Sequence, residues 1–346
     1  MRRTRTIKQL FRALVLVSAG VAIGSGTALG FGVLGPTGDL EDAVRWSNLP
    51  GSLVESGVRG LGGGLEYAVD DDFCVYLIPR FLDEPKPTCE QLRAVIQRAF
   101  DKWAAGHPIL RFVDVTGKIK PERPPQGRDP AKGYGAEIDL FATNPPGGAG
   151  AYGSYYFRRN VSPIGTNGQQ LPGHTITNAD IIFNAGGIWL FLDPALKDRR
   201  NPRGQHFESV LMHEIGHTLG LDHPHQAAMN NQNYDSDDDP LNEIVIDCAD
   251  PTKGLKKSPN FDPFAIMSYW PSDPEEFAKL TNDDLGGRNF LYPICPSAAQ
   301  GGTDLALPAA PLSGNGEGAV GLVAFFVGAL SFVLGREWGK RRALIY

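Results

Sequence analysis

One eleven-residue stretch, HEIGHTLGLDH at residues 213–223, constrains this chain more than any other part of its sequence. On a helix, positions i and i+4 share a face, so His213 and His217 can present two imidazoles to one metal ion. Gly220 lets the chain leave the helix through a left-handed conformation, after which His223 can return as a third ligand. The spacing therefore predicts a helix that ends at a three-histidine zinc site with an open fourth position.

Glu214 follows the first histidine and is the candidate general base. A carboxylate held beside the open coordination position can take a proton from an attacking water. His225 competes with His223 for the third ligand position, because the sequence H-P-H offers two imidazoles. The spacing from His217 and the turn at Gly220 favour His223.

The stretch resembles the zinc signature of the metzincin metallopeptidases, H-E-x-x-H-x-x-G-x-x-H followed by a Met-turn. Residues 265–270 read AIMSYW, and the resemblance makes Met267 the Met-turn residue, an apolar base beneath the three imidazoles. Tyr269 matches the position at which astacins and serralysins carry a tyrosine near the metal. Its phenol is a candidate zinc ligand or oxyanion donor, and a purely structural tyrosine is the alternative.

Between about residues 70 and 295 the hydrophobic pattern predicts alternating strands and helices. This order predicts an α+β domain with a mixed, twisted sheet. The predicted elements are a strand at 73–78, a helix capped by Thr88 and ended by Gly106, strands at 109–115, 137–141 and 179–183, and a zinc helix from about Phe207.

Three segments narrow the resemblance from metzincins to matrixins: AFDKWAAGHPILRF, ADIIFN and LTNDDLGGRNFLYP. The resemblance implies a zincin-like fold with a long zinc helix, a closing helix over 280–293, one catalytic zinc and protein or peptide substrates. An extended peptide is expected to add to an edge strand, for which residues 148–157 are the candidate. Ile182 stands where matrixins carry a histidine of a second, structural zinc, so that zinc is not expected here.

The link between His223 and Met267 is longer than is usual in matrixins. Its acidic residues can be read as a calcium site without full EF-hand spacing or as a solvated loop. They are Asp235, Asp237, Asp238, Asp239 and Asp247. Three further histidines, His107, His174 and His206, are expected to be surface or loop residues rather than ligands.

The net charge and the cysteines limit the kinds of partner and the cellular compartment that the chain can have. The net charge of −6 gives no electrostatic basis for binding nucleic acid. The four cysteines form no C-x-x-C pair, and their proximity in sequence predicts Cys74 with Cys89 and Cys248 with Cys295. Export from the cytoplasm would make such bonds possible.

Both ends of the chain carry membrane-type signals. Basic residues between positions 2 and 12 precede an apolar run at 13–24, which predicts a signal peptide cleaved near residues 28–30 or an uncleaved signal anchor. Residues 318–335 carry no charge and as a helix would span about 27 Å. The basic cluster after them predicts a membrane span with a cytoplasmic tail, the alternatives being a buried helix and a processed sorting tail.

The predicted organisation is a signal at 1–30, a linker or short pro-segment at 31–68, the peptidase domain at 69–296, a linker at 297–317, a membrane helix at 318–335 and a tail at 336–346. The implied function is an exported, membrane-anchored zinc endopeptidase. The first alternative is a catalytically inert surface binding or adhesion protein, against which the intact Glu214 argues. The second is a zinc hydrolase of a non-peptide amide, against which the third histidine and the Met-turn argue.

Overall fold

The computed structural model describes residues 31–37, 39–48, 60–123, 134–143, 150–159, 161–196, 204–224, 262, 264–268 and 277–295, and the backbone at 232–233, 256–257 and 323–324. Several predicted features therefore lie outside the described residues. They are the signal segment at 1–30, His225, the five aspartates of the long link, Cys248, Tyr269 and the tail at 336–346.

The described elements are short strands around four helices. The helices are α1 (Phe73–Leu77), α2 (Cys89–Ala104), α3 (Phe207–Leu219) and α4 (Asn282–Leu291). The strands are β1 (Gly32–Val33), β2 (Val44–Arg45), β3 (Leu65–Val69), β4 (Phe112–Asp114), β5 (Ile138–Thr143), β6 (Ala151–Arg158), β7 (His174–Asn184), β8 (Trp189–Phe191), β9 (Gly204–His206), β10 (Leu221–Asp222), β11 (Gln232–Asn233), β12 (Lys256–Lys257) and β13 (Val323–Ala324).

One mixed sheet organises the domain, with strand order β13-β6-β7-β5-β3-β4 and β2 also paired with β7. The strands β4, β3, β5 and β7 run parallel to one another, whereas β6 is antiparallel to β7. The predicted mixed sheet is confirmed. Helix α3 packs against β6 and β7, so the helix with the histidine motif lies across the sheet at its β6 side.

Helix α2 agrees with its prediction in detail. Thr88 and Gln91 form the expected capping box, with Gln91 N–H donating to Thr88 Oγ1 at 3.2 Å. The predicted apolar stripe is the buried face, comprising Leu92, Val95, Ile96, Ala99, Phe100 and Trp103. The Trp103 indole N–H donates to the Met212 carbonyl at 2.9 Å, which ties α2 to α3.

The strand predicted at residues 73–78 is wrong, because this segment forms α1. Phe73, Cys74 and Leu77 are buried while Val75 and Tyr76 are exposed, and this is the spacing of one helical face rather than of a strand. The Cys74–Cys89 disulfide joins α1 to the start of α2 and confirms the first predicted pair. Cys295 is also disulfide-bonded.

Much of the predicted linker at 31–68 is built into the domain. Strand β1 pairs with β10 and β2 pairs with β7, while β3 is an internal strand of the main sheet. The Trp46 indole N–H donates to the Thr218 carbonyl at 2.9 Å, and Arg45 donates to the carbonyls of Phe290 and Leu291, each at 3.2 Å. Two-residue strands leave no hydrophobic period, so the sequence pattern did not reveal them.

The predicted membrane helix at 318–335 is not confirmed. The described backbone of this segment, Val323–Ala324, is the strand β13 and pairs antiparallel with β6. No helix in the described part of the chain has the length and apolar character of a membrane span. An apolar run that contains β-branched and aromatic residues suits a strand as well as a helix, so composition alone did not separate the two.

Candidate metal centre

The end of α3 positions the three histidines of the motif. His213 and His217 lie one turn apart on this helix, and His206 caps its start by accepting the Ser209 N–H. Gly220 ends the helix in the left-handed conformation, with φ of 102°, as predicted. The chain then runs through β10 and brings His223 back to the helix.

The three Nε2 atoms converge on one point. Their separations are 2.9 Å between His213 and His223, 3.1 Å between His217 and His213, and 3.2 Å between His217 and His223. Nitrogen ligands about 2.0–2.1 Å from a tetrahedral zinc lie roughly 3.3 Å from one another, so the cluster fits this ion closely. All three imidazoles are buried.

Backbone carbonyls fix which nitrogen of two imidazoles faces the cluster. Nδ1 of His213 lies 2.6 Å from the Ile266 carbonyl, and Nδ1 of His217 lies 2.8 Å from the Leu221 carbonyl. A carbonyl only accepts, so each Nδ1 carries the proton and each Nε2 presents its lone pair. Burial, followed by the neighbouring His223 and His213, holds the pKa of His217 well below its ordinary value, which favours the neutral ligand form.

Glu214 is buried where α3 packs against strand β6. Burial raises the pKa of its carboxyl to about 8, and a hydrogen bond from the Gly153 backbone N–H partly opposes this shift. A dication held by the adjacent histidines would act in the same direction as that hydrogen bond, because it favours the charged carboxylate. Burial and a bound dication therefore act on this pKa in opposite directions.

Gly153 of β6 is a site residue that the sequence analysis did not single out. A Cβ at this position would lie 2.8 Å from His217 Cβ and 2.9 Å from the Glu214 carbonyl oxygen. Only a glycine allows the β6 backbone to approach α3 this closely. Strand β6, Ala151–Arg158, covers most of the segment 148–157 and borders the histidine cluster. It pairs with β13 on one side and with β7 on the other, so it is not an edge strand here, and its role in binding a peptide stays a prediction.

Met267 lies under the same turn of α3. It is buried, and a Cβ added to Gly216 would overlap its sulfur, so the thioether packs between the positions of His213 and His217. The backbone N–H groups of Ile266 and Met267 donate to Asp284 of α4 at 2.9 and 3.0 Å.

Asp284 connects the turn at Ile266 and Met267 to the last helix, α4. The same carboxylate accepts the Thr281 N–H at 2.9 Å, which completes the capping box of α4. Because the Ile266 carbonyl accepts from His213, one short path of hydrogen bonds joins α4, the Met267 turn and a histidine of the cluster.

The comparisons agree with this arrangement. A family model described as Matrixin matches residues 163–250, which include the whole histidine motif. This segment is similar to the matrixins. A search of curated proteins finds no match.

Two solved structures align with much of the chain at low similarity. The GM1-bound form of the ECX AB5 holotoxin is 12% identical, with 67% of this chain and 81% of that chain covered at a TM-score of 0.30. High choriolytic enzyme 1, a hatching enzyme zinc-protease from the medaka fish Oryzias latipes, is 12% identical, with 72% and 94% covered at a TM-score of 0.28.

The other described histidines of the matrixin-like domain lie away from the cluster. His107 lies in the loop after α2, in agreement with its prediction, and is buried there. Its Nδ1 accepts the Leu110 N–H at 3.1 Å and its Nε2 donates to the Tyr292 carbonyl at 3.0 Å. Burial lowers its pKa to about 4. His174 lies on β7, 3.7 Å from Asp42. Among the residues described, His213, His217 and His223 form the one group suited to a metal ion.

The calcium site and the lack of a structural zinc in the matrixin-like domain stay predictions. Ile182 is a buried residue of β7, and the aspartates of the long link lie outside the described residues. The structure instead shows two buried carboxylates that the sequence analysis missed, Asp139 and Asp180, which are direct partners across β5 and β7.

Proposed function

We propose that this chain is a zinc-dependent endopeptidase in which His213, His217 and His223 hold the metal. The observation that carries the proposal is the convergence of three Nε2 atoms within 3.2 Å of one another, with Glu214 buried beside them. Zinc, when bound, supplies a Lewis acid that polarises the scissile carbonyl and the attacking water.

Glu214 supplies the proton transfers of the proposed reaction. It takes a proton from the attacking water and delivers it to the amine that leaves when the peptide bond breaks. Its carboxyl group is buried and belongs to the residue that follows the proposed ligand His213. Tyr269, two residues beyond Met267, is proposed as a further zinc ligand or as a hydrogen-bond donor to the oxyanion, on the resemblance to astacins and serralysins alone.

The substrate is proposed to be an extended peptide or protein segment along the outer edge of β6. Gly153 lets this strand lie against α3, so a peptide paired with β6 passes close to Glu214 and to the histidine cluster. Backbone hydrogen bonds to a strand edge bind extended segments of many sequences. The proposed enzyme is therefore an endopeptidase rather than a hydrolase of small amides.

Export from the cytoplasm forms part of the proposal. It is supported by the basic and apolar N-terminal sequence and by the Cys74–Cys89 disulfide, which forms in oxidising compartments. A membrane anchor over 318–335 would need a helix where Val323 and Ala324 are extended, so we include export and not the anchor.

The test compares the full chain with its Glu214→Ala variant on an unfolded protein substrate, with zinc content measured for both. We expect the native chain to cleave and the variant to retain zinc while losing at least about 100-fold in rate, because the general base is removed and the ligands are kept. A folded, zinc-loaded native chain without activity would instead favour the inert binding protein. Equal activity in the two forms would refute the role of Glu214.

A further inference from the structure

The outer edge of β6 is paired with a segment from the far C-terminal part of the same chain. Strand β13 runs antiparallel to β6, with Val323 opposite Tyr155 and Ala324 opposite Ser154. The other edge of β6 is taken by β7. The edge along which the proposed substrate would lie is therefore the edge that β13 contacts.

This pairing lies next to the candidate metal centre. The residue before Ser154 is Gly153, which lies against α3. A Cβ added to Gly153 would lie 2.8 Å from His217 Cβ and 2.9 Å from the Glu214 carbonyl oxygen. A peptide that continued from Ala324 in the same register would come opposite Gly153 at its next residue. Strand β13 thus ends where the reaction would take place.

We propose that the C-terminal segment centred on Val323–Ala324 is an internal ligand of the active site, which occupies the substrate edge of β6 and competes with external peptides. The inference rests on the proposed function and assigns that site a specific occupant. The control it provides is intramolecular: access of a substrate requires that this segment leave the strand edge.

The chain is long enough for this arrangement. Cys295, the last described residue before the gap, is held by a hydrogen bond from its N–H to Thr166 Oγ1 at 2.7 Å, in the connection between β6 and β7. The stretch 296–322 can extend over roughly 90 Å. The eight-residue strand β6 is about 27 Å long, so the tether reaches any point along it.

The composition of the segment also suits a strand partner. Residues 318–335 carry no charge and include Val323, two adjacent phenylalanines and further valines, the residue types that favour strands. Tyr155 and Ser154, the partners on β6, are themselves buried. An uncharged segment can pair there without leaving a charge in a buried position.

The experiment uses two double-proline variants of the full chain. Val323→Pro with Ala324→Pro removes both backbone donors of β13, whereas Ala329→Pro with Leu330→Pro makes the same change further along the apolar run. Hydrolysis of a short fluorogenic peptide is measured for each. A tethered segment has a millimolar effective concentration, so an affinity near 0.1 mM would raise the apparent KM about tenfold.

We expect the first variant to lower KM about tenfold at unchanged kcat, and the second to behave like the native chain. A second measurement does not depend on catalysis. A labelled peptide that copies residues 320–328 and carries two added lysines is titrated against full chains that also carry Glu214→Ala, and its affinity is measured. The first double-proline change should strengthen this binding about tenfold. Equal KM and equal peptide binding in both variants would overturn the inference. Absence of hydrolysis with the expected binding difference would instead count against the proposed enzyme.

Discussion

The Nε2 atoms of His213 and His223 lie 2.9 Å apart, and the left-handed turn at Gly220 is what brings them together. A side chain at Gly220 would also overlap the Val44 carbonyl of β2. The cluster therefore depends both on the conformation of one glycine and on the packing of an N-terminal strand against it.

The third metal ligand gives the first prediction. We expect His223→Ala to weaken zinc binding by at least about 100-fold, since one of three converging nitrogens is lost, and His225→Ala to leave it unchanged. Zinc per chain after dialysis against a graded chelator measures both variants. The opposite order of the two variants would make His225 the ligand.

A matched pair of glycine substitutions tests the packing beneath the centre. At Gly216 of α3 a methyl group would overlap Met267 and lie 3.1 Å from Trp103, whereas at Gly286 of α4 the nearest atom is Phe31 Cδ1 at 3.7 Å. We expect Gly216→Ala to lower the free energy of unfolding by about 1–3 kcal/mol through overpacking. Gly286→Ala should raise it by about 0.5–1 kcal/mol through helix propensity. Urea unfolding measures both, and a stabilising Gly216→Ala would refute the packing assigned to Met267.

The buried carboxylates of β5 and β7 predict a pH dependence of stability. Burial raises the pKa of Asp180 to about 7, although Arg123 at 3.9 Å opposes the shift. Burial likewise raises the pKa of Asp139 to about 8. Each folded-state pKa lies above the unfolded value, so the linked stability is fully present below about pH 4 and is lost as pH rises toward 7 to 8.

Asp180→Asn isolates the contribution of one of these groups. The variant should lose less stability than the native chain between pH 4 and 7, by an amount on the order of 4 kcal/mol at most, because it cannot ionise. Urea unfolding at pH 5, 6 and 7.5 measures the slope. Asp71→Asn, at an exposed position, removes the same formal charge and should leave the slope as in the native chain. Parallel slopes for native chain and Asp180→Asn would contradict the prediction.

The Cys74–Cys89 disulfide is expected to stabilise the folded chain mainly by restricting the unfolded one. Its sequence separation is 15, for which the chain-entropy relation gives about 3 kcal/mol. The double variant Cys74→Ser, Cys89→Ser should lower the urea midpoint accordingly. The substitution is preferred to a reductant because Cys295 is also disulfide-bonded. An unchanged midpoint would show that the unfolded chain gains no freedom from loss of the bond.

The parts of the fold that sequence reasoning predicted are those whose signals are local. Helix α2 has its cap, its apolar stripe and its stop within twenty residues, and the histidine motif has its helix, turn and third ligand within eleven. Such signals depend little on the rest of the chain. The three histidines that the motif predicted as ligands accordingly lie together in the structure.

The missed features depend on distant parts of the chain. Strand β1 has two residues and exists only through pairing with β10, nearly 190 positions later. Helix α1 is five residues long, too short for periodicity to separate it from a strand. Gly153 and Asp284 gained their roles from contacts with α3 and with the Met267 turn, which no spacing within their own segments indicates.

The carboxylate of Asp284 has a consequence for how fragments of this chain behave. A polypeptide that stopped short of α4 would still read HEIGHTLGLDH without a single altered letter, yet the turn at Ile266 and Met267 would lose the acceptor that holds it under His213. Splice products, proteolytic fragments and truncated open reading frames of this kind would contain the histidine motif but would lack the carboxylate that holds the Ile266–Met267 turn in place. The motif alone therefore does not ensure that the histidine cluster is supported; the last helix, α4, must be present as well.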